Sequence, residues 1–311
     1  MLDLANLNYS GLQTPRTAAD FSAAQLKKAG WRGRIILAQI TRIIGLIIAL
    51  VVAAGGVLLL TDPSGHNLLL LAVILFVFAI ALGTVAWFAP KLTLKLRGDQ
   101  LSLLRFALDN GANYYTSEWP ARHDERIKNV LFSPNIIRRN YPVGTTDNIL
   151  IFPDDATLFQ YNYSSGNNQQ DIRPELTAQI LCFKLPVSLP RIFLNSRRNI
   201  LNFMVPTDKM QEVSLEGDFS SYFRVYFTPG SQITTLQILT PDVMAALLDF
   251  GFDYDFEILD NNLYIYAPAN GLDFISPVKL QKLLQNLNDV QNKILRQLQN
   301  YQTETASSDK S

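Results

Sequence analysis

Two long apolar runs lie near the start of the chain, at residues 35–60 and 68–88. As helices, both are long enough to cross the hydrocarbon core of a bilayer, which is about 30 Å thick and needs about 20 apolar residues. Arg42 is the one charged residue within them, and its aliphatic stem lets the guanidinium reach the headgroups. We therefore predict a two-helix transmembrane hairpin over residues 35–88, with its spans at about 43–60 and 68–88.

The residues that flank the two runs are basic, whereas the short link between them, residues 61–67, has no Lys or Arg. The flanking residues that we expect at the membrane surface are Lys27, Lys28, Arg32, Arg34, Arg42, Lys91, Lys95 and Arg97. By the positive-inside rule both flanks lie in the cytoplasm, so we expect a multi-pass membrane protein with both termini cytoplasmic. A cleaved signal peptide would need a shorter apolar core, closer to the N-terminus.

Residues 1–34 are predicted to form a cytoplasmic segment. The first 14 residues are polar and lack a strong period, and we expect them to be flexible. A short juxtamembrane helix follows, with Thr17 as its cap and Gly30 as its stop. The basic cluster next to this helix either attracts anionic headgroups or only sets the topology.

From residue 89 to residue 275 the pattern changes to short strands with alternating apolar positions. The predicted strands are 157–163, 178–185, 222–227, 233–239, and 253–259 followed by 263–266. The last two are expected to form a hairpin, because Asn261 and Asn262 between them tolerate the left-handed backbone of a two-residue turn. Polar turns between strands favour antiparallel connections, so we expect one cytoplasmic β-rich domain. A division into two near residues 197–206 is the alternative.

Two helices have clear start signals. Thr240 is placed to cap a helix that has Pro241 in its first turn and Gly251 as its stop. Ser276-Pro277 begins a C-terminal helix, which with a polar tail fills residues 276–311. The apolar stripe of this helix consists of Leu280, Leu284, Leu287, Val290, Ile294, Leu298 and Tyr301. The stripe packs either on its own domain or on a partner, which includes a second copy of the chain.

The fold class expected from these elements is α+β. A two-helix transmembrane hairpin is followed by a mainly antiparallel β cytoplasmic domain with one inserted helix, and the chain ends in a C-terminal amphipathic helix. The domain is long enough to bury a core of its own.

Three stretches within residues 147–266 carry a resemblance to a known family. They are the strand 156–163 with the apolar strand that follows it to Leu189-Pro190, the stretch 213–225, and the strand-to-helix stretch 238–244. Over this part the chain resembles the uncharacterised bacterial membrane-protein family of unknown function numbered 3137. The resemblance implies a paired-helix anchor with a cytoplasmic domain of unknown biochemical role, and it supplies no catalytic residues.

Composition narrows the chemistry. The 27 basic and 27 acidic residues balance, which excludes a nucleic-acid protein that binds by excess positive charge. One cysteine and two histidines leave no disulfide framework and little for a zinc site. His123 lies in a charged stretch without a nucleophile nearby. Cys182 lies within an apolar strand, where we expect a structural thiol and not a nucleophile.

Asp253, Asp255 and Glu257 form the one set of closely spaced carboxylates with a strand period. Three carboxylates on one face suit Ca²⁺ or Mg²⁺, but such sites usually take their ligands from a loop. A solvent-facing side of a half-buried strand is the simpler interpretation. We therefore predict no metal, no cofactor and no catalytic site.

Charge divides along the chain beyond the apolar runs. Residues 91–206 contain 14 basic and 10 acidic residues, whereas residues 207–311 contain 7 and 14. A basic part near an anionic leaflet and an acidic part away from it indicate an oriented domain whose acidic end is open to partners. We expect a bacterial inner-membrane protein whose anchored cytoplasmic domain acts as a protein-interaction or membrane-assembly module, and not an enzyme.

Two other functions are alternatives. Small residues on one side of the first run suit helix contact in an accessory subunit of a transporter or channel. These residues are Gly45, Ala49, Ala53, Gly55 and Gly56. An enzyme acting on lipid or envelope precursors is the third class, and no motif points to it.

Overall fold

The computed structural model divides the chain into two compact units. One consists of Met1–Thr14 with Ser102–Ser311, contains every described strand, and is called the sheet unit below. The other, Pro15–Leu101, is the helical unit. The structure describes residues 2–13, 16–29, 31–61, 73–81, 83–84, 98–121, 124, 130, 135–140, 144–163, 176–199, 209–215, 217–269 and 276–308.

The described chain belongs to the α+β class, as predicted. Its helices are α1 (Ser10–Gln13), α2 (Ala23–Lys28), α3 (Trp31–Thr61), α4 (Gly98–Asp109), α5 (Glu118–Ala121), α6 (Ile136–Asn140), α7 (Phe219–Tyr222), α8 (Gln232–Ile238), α9 (Pro241–Ala246) and α10 (Pro277–Ser308). Its strands are β1 (Asn113–Ser117), β2 (Gly144–Ile151), β3 (Thr157–Tyr163), β4 (Leu176–Ser196), β5 (Gln211–Val213), β6 (Phe223–Phe227) and β7 (Asp255–Ala269). Turns of 3₁₀ helix occupy Leu4–Asn6 and Ala18–Asp20, and a π-helical turn, Leu247–Gly251, continues α9.

In the helical unit, α3 carries the first apolar run. Over Gln39–Val57 the mean hydropathy of α3 is 2.3 and only 6% of the stretch is buried. Among the described residues it is the one unbroken helix that is long and apolar enough to cross a membrane. A bent pair, α8 with Pro241–Gly251, meets the same criteria only when its two parts are joined across a 62° angle. Within the second predicted span, 68–88, residues 73–81 and 83–84 are described and helical, and the others lie outside the described residues.

The juxtamembrane helix begins later than predicted. Ser22 is the N-cap of α2: its hydroxyl accepts from the backbone N of Gln25 at 3.2 Å, and the Gln25 side chain accepts from the backbone N of Ser22 at 2.8 Å. This reciprocal capping box satisfies two backbone donors at once. Thr17, the predicted cap, instead donates to Asp20 at a separate 3₁₀ turn, so that assignment is wrong.

The N-terminal segment, residues 2–13, packs within the sheet unit, and the prediction that it is flexible is wrong. Leu4 and Leu12 are only 1% and 3% exposed. The ring of Tyr9 stacks on Phe106 of α4, with the ring centroids 5.8 Å apart. Burial of these side chains offsets the entropy lost when the segment orders.

Hydrogen bonds fix both halves of this segment to distant parts of the chain. The backbone N of Asn8 donates to the Asn110 Oδ1 at 2.7 Å, and the Asn110 Nδ2 donates to the Asn8 carbonyl at 3.0 Å. The Gln291 Nε2 of α10 donates to the Leu2 carbonyl at 2.9 Å. The residues that precede the helical unit therefore share one fold with the residues that follow it.

The sheet is built around two long strands, β4 and β7. All its pairs are antiparallel, and β7 runs along one edge of β4 for most of its length. The other edge of β4 is shared: β3 pairs with its first part and β6 with its last part. The order across that side is β1-β2-β3-β4-β6-β5. This confirms the mainly antiparallel sheet predicted from the turn signals.

The β4–β7 ribbon is interrupted where the sequence suggested a hairpin. Its register shifts between Lys184 and Leu189 and again between Leu189 and Ile192. Each interval contains a proline, Pro186 or Pro190, and a proline lacks the N–H that a ladder requires. On β7 the break falls at a residue with a left-handed backbone, Asp260 (φ 56°). The predicted hairpin at residues 253–266 is wrong, because both halves pair with β4 in a single strand.

Of the other four predicted strands, three are confirmed and one is wrong. The strand 157–163 is confirmed as β3, 178–185 lies within β4, and 222–227 corresponds to β6. The predicted strand 233–239 is wrong, since these residues form most of α8. There the Thr235 hydroxyl donates to the Ser231 carbonyl at 2.8 Å, and packing on α10 overrides the strand preference of the β-branched residues.

The C-terminal helix α10 begins at Pro277, as predicted. Its apolar stripe is buried, with exposures of 0–5%. These buried residues are Leu280, Leu284, Leu287, Val290, Ile294 and Leu298. The helix packs on α8, α9, the π-helical turn and the N-terminal segment. Of the two alternatives left open by the sequence, docking on its own unit is therefore the one observed.

The helix α9 begins at Pro241, but the predicted cap does not form a hydrogen bond through its side chain. Thr240→Ala should thus leave the free energy of unfolding within about 0.5 kcal/mol of wild type, whereas a working cap would contribute about 0.5–2 kcal/mol. Thr235→Ala is the matched control and should cost about 1 kcal/mol, because its buried hydroxyl is bonded. Urea unfolding of the detergent-solubilised chain measures both; a larger loss for Thr240→Ala would show that its hydroxyl does cap.

Candidate functional site

Two carboxylates near the start of β7 are completely buried. Asp255 and Glu257 are both 0% exposed, and their spacing of two places them on one face of the strand. Asp253, the third member of the set, is exposed and precedes the strand. The prediction of a solvent-facing strand side is therefore wrong for the two residues that lie within β7. Among the described residues, no group of three or more His, Cys, Asp or Glu side chains is arranged to hold a metal ion.

Glu257 is paired with a buried arginine. The Arg191 Nε and Nη2 both lie 2.7 Å from the Glu257 Oε1, and Arg191 is only 8% exposed. An ion taken out of water loses its hydration, and a close partner with directed hydrogen bonds compensates for that loss. Arg191 lies on β4, so the pair ties the two long strands together.

The other oxygen of Glu257 has two further donors. Its Oε2 accepts from the backbone N of Ile136 at 2.9 Å and from the Tyr266 hydroxyl at 2.5 Å. Ile136 is the first residue of α6, whose first N–H groups have no partner within the helix. Burial, and then the charge of Glu257, hold the pKa of Tyr266 well above its ordinary value. The phenol therefore remains a donor to the carboxylate at neutral pH.

The contact between Glu257 and Tyr266 depends on the bend in the ribbon. In a straight strand, nine residues span about 30 Å, and residues an odd number apart point to opposite faces. A hydrogen bond between these two side chains is therefore incompatible with a regular β7. The left-handed backbone at Asp260 reverses the alternation, and the Glu257 carboxylate lies where the two arms of the bent strand meet.

The arginines of α6 lie beside this centre. The Arg138 Nη2 donates to the Thr146 Oγ1 at 3.0 Å, and its guanidinium lies 5.2 Å from the centroid of the Tyr161 ring. Desolvation lowers the pKa of Arg139, as does the charge of Arg191, while Glu257 acts in the opposite direction. Arg139 thus belongs to the same electrostatic environment as the buried carboxylate.

Asp255 has a different environment. Its Oδ1 accepts from the Ser196 backbone N at 2.6 Å and from the Asn199 Nδ2 at 3.1 Å. Its Oδ2 has no partner among the described residues. Burial raises the pKa of Asp255 from 3.8 to about 7, against the opposing effect of its two hydrogen bonds. Of the two carboxylates on this strand face, Glu257 is ion-paired, whereas Asp255 keeps its proton up to a pH near neutrality.

The sequence-predicted membrane-surface residues fall in different places. Lys27 and Lys28 are exposed in the last turn of α2. Arg42 lies in α3 and is half-buried, and Arg32 and Arg34 lie in the first turns of α3. The remaining ones are outside the described residues: Lys91, Lys95 and Arg97.

Two further candidates have separate outcomes. His123 lies outside the described residues. Cys182 is buried on β4, and desolvation raises the pKa of its thiol to about 12. The thiol is thus protonated at neutral pH, in agreement with the structural role expected from the sequence.

Sequence reasoning missed Arg191 and Tyr266 as members of a buried centre. One signal was present: Arg191 follows Leu189-Pro190 and precedes Ile192-Phe193-Leu194. A single charge within an apolar strand needs a buried partner. Which residue supplies that partner depends on the ribbon register, which the sequence pattern did not reveal.

Comparison with family models, with curated proteins and with solved structures gives no match to this chain. The resemblance to the family of unknown function numbered 3137 therefore stays a prediction.

Breaking the buried ion pair should be costly. Glu257→Gln leaves the Arg191 charge buried without its counter-ion, and we expect a loss of about 3–5 kcal/mol in the free energy of unfolding. The matched control is Asp253→Asn, the same type of change at an exposed position of the same segment, which should be neutral. Denaturant titration of both variants measures the difference. Equal stabilities of the two variants would contradict a structural role for the pair.

Asp255 should make stability depend on pH. Its folded pKa of about 7 lies above its ordinary value of 3.8, so the folded state holds a proton that the unfolded state releases. The free energy of unfolding should therefore fall as pH rises from about 4 to about 7, and this contribution should be constant outside that window. Asp255→Asn should remove this part of the slope and stabilise the protein at pH 8. An unchanged slope would contradict the assignment.

Proposed function

We propose that this chain is a membrane-anchored protein whose sheet unit acts at the membrane surface as a protein-interaction or membrane-assembly module. The observation that carries the proposal is the exposure of α3. Its aliphatic side chains remain open over most of the helix surface, for example Ile43 at 56%, Leu50 at 72% and Val51 at 62%. A helix that is apolar on every side is suited to lipid, since each Å² of apolar surface left in water forgoes about 25 cal/mol.

The packing of the two chain parts that flank the helical unit favours a hairpin over a single span. Residues 2–13 and the residues from Ser102 onward pack in one unit, so they lie on one side of any membrane. A chain that leaves one side and returns to it must cross an even number of times. With α3 as one crossing, the return falls between residues 62 and 97. The apolar run 68–88, helical at 73–81, is the segment suited to it.

Contacts inside the helical unit support the same arrangement. Ala49 on α3 and Ala79 are 9% and 5% exposed. A Cβ at Gly83 would lie 3.8 Å from that of Ala49. Small residues allow two helix backbones to approach closely in lipid. The small-residue side of α3 thus has a partner within the same chain, which favours an anchor over an oligomerising channel element.

The side of the membrane follows from charge. The exposed Lys27 and Lys28 precede α3, and the link 61–67 carries no basic residue. The positive-inside rule then favours the cytoplasmic side for the sheet unit and both termini. The resemblance to the family numbered 3137 implies a bacterial inner membrane for the anchor.

The buried centre supports an interaction module more than an enzyme. Both oxygens of Glu257 are engaged by protein donors, from Arg191, Ile136 and Tyr266. A carboxylate so engaged fixes the bend and the start of α6.

The helix α8, by contrast, presents apolar side chains to solvent. Ile233 is 76% and Leu236 44% exposed, and the two lie three residues apart on one helix face. We infer that this face contacts a partner protein.

Labelling of single cysteines tests the topology. Ala5→Cys and Gln232→Cys introduce thiols at exposed sites of the sheet unit, and Ser64→Cys introduces one in the link. In intact cells a membrane-impermeant reagent should label only Ser64→Cys, and the other two only after permeabilisation. The native Cys182 is buried and should remain unlabelled. Ala5→Cys and Gln232→Cys reacting from opposite sides would contradict the hairpin.

Site-specific photo-crosslinking in native membranes tests the interaction module. A crosslinker in place of Leu236 should give a discrete heavier adduct, because that side chain is exposed on an apolar helix face. The control position is Gln285, exposed on α10, which should give none. Ile233→Ser should abolish the adduct while leaving the protein folded. The same products from both positions would contradict a specific surface.

A further inference from the structure

The stretch that enters the membrane carries charge of one sign only. Residues 21–61 contain five basic residues and no acidic one. Four of the five lie in a short segment, called the basic collar here: Lys27, Lys28, Arg32 and Arg34. Asp20 and Asp62 are the nearest acidic residues in the sequence, and they lie at the two limits of the stretch. Such a concentration of positive charge suits an anionic partner.

The two lysines of the collar are held outward by packing. The side chains of Phe21 and Leu26 are both 8% exposed and Ala29 is 1% exposed, while α2 packs against α3 within the helical unit. Lys27 and Lys28 are exposed in the last turn of this helix. The capping box at the start of α2 fixes its first turn. The lysines therefore project from a folded element and not from a flexible tail.

The length of α3 between the collar and the apolar stretch sets the distance of the collar from the hydrocarbon core. The helix α3 is continuous from Trp31, and its apolar stretch begins at Gln39, eight residues later. Eight residues of helix rise about 12 Å. The headgroup and interfacial layer on each side of the hydrocarbon core is about 5–8 Å thick, so Trp31 lies just outside that layer. At this distance, within a Debye length of about 8–10 Å, the positive charge of the collar still attracts anionic headgroups.

We propose that the basic collar binds the headgroups of anionic phospholipids in the leaflet next to the sheet unit. This inference rests on the proposed membrane anchor, and it adds a lipid class to it. The phosphodiester of such a lipid accepts charge-assisted hydrogen bonds from the ammonium groups of Lys27 and Lys28. A headgroup with no net charge gains less from the same lysines, so the collar selects lipids by charge.

Native mass spectrometry of the full chain, titrated in detergent with phosphatidylglycerol or phosphatidylcholine, tests the proposal. The wild-type chain should bind phosphatidylglycerol more tightly. The double variant Lys27→Gln/Lys28→Gln should weaken that binding on the order of 25-fold, at roughly fivefold per charge, and leave phosphatidylcholine unaffected. Lys27→Arg/Lys28→Arg should retain the preference, because both charges remain.

The matched control is Lys279→Gln/Lys282→Gln, which removes two exposed charges from α10. The proposal is overturned if this control weakens phosphatidylglycerol binding equally, if the wild type shows no lipid preference, or if millimolar inorganic phosphate displaces the lipid. Alkaline carbonate extraction of membranes separates this result from the anchor itself. Release of the wild-type chain by carbonate would refute the anchor, whereas retention of the collar variant with lost selectivity would support both proposals.

Discussion

The packing of residues 2–13 within the sheet unit is the constraint on which the rest of the account depends. These residues precede the helical unit, and their partners, Asn110 and Gln291, follow it. The residues before and after the most apolar part of the chain therefore belong to one folded unit. A closed fold cannot be divided by a bilayer, because its polar backbone would be left without water in the hydrocarbon core. If α3 crosses a membrane, as proposed, these contacts imply an even number of crossings, because they keep residues 2–13 and the rest of the sheet unit on one side.

Within the sheet unit, a second constraint shapes the site. Prolines interrupt the ladder of β4, Asp260 adopts a left-handed backbone, and the β4–β7 ribbon bends. The bend brings Glu257 to Tyr266, and the same carboxylate receives Arg191 and the start of α6. An isolated buried carboxylate would be strongly disfavoured. Strand, helix and ion pair consequently support one another, and the loss of any partner should weaken the others.

How far the sequence predicted this fold depended on the kind of signal. The alternation of apolar residues correctly predicted β3, and the Ser276-Pro277 signal correctly predicted the start of α10, because both are local sequence patterns. The turn signal at Asn261-Asn262 identified the bend but misassigned its pairing, since a hairpin and a bend differ only in which strand supplies the partners. The N-terminal segment was missed because its three buried leucines follow no helix or strand period.

The candidate site was harder to predict for the same reason. Asp255 and Glu257 match the pattern of an exposed strand side, and burial became evident only through partners that are distant in sequence. Glu257 bonds Arg191, 66 residues away, and Ile136, 121 residues away. A pattern read along one strand contains no information about such pairs. The left-handed residue that aligns Tyr266 with Glu257 is Asp260, next to the turn signal at Asn261-Asn262, but that signal did not show that the strand continues past it with its alternation reversed.

The most direct test is a crosslink, in native membranes, between a residue that precedes the helical unit in the sequence and one that follows it. Asn8→Cys and Asn110→Cys place thiols at two neighbouring residues. The backbone of Asn8 and the side-chain amide of Asn110 are joined by two hydrogen bonds, of 2.7 and 3.0 Å. With a short thiol crosslinker, mass spectrometry should recover the two peptides joined within one chain. Abundant single labelling of both cysteines without the joined peptide would show that the N-terminal segment lies apart from the sheet unit, and would contradict the hairpin anchor.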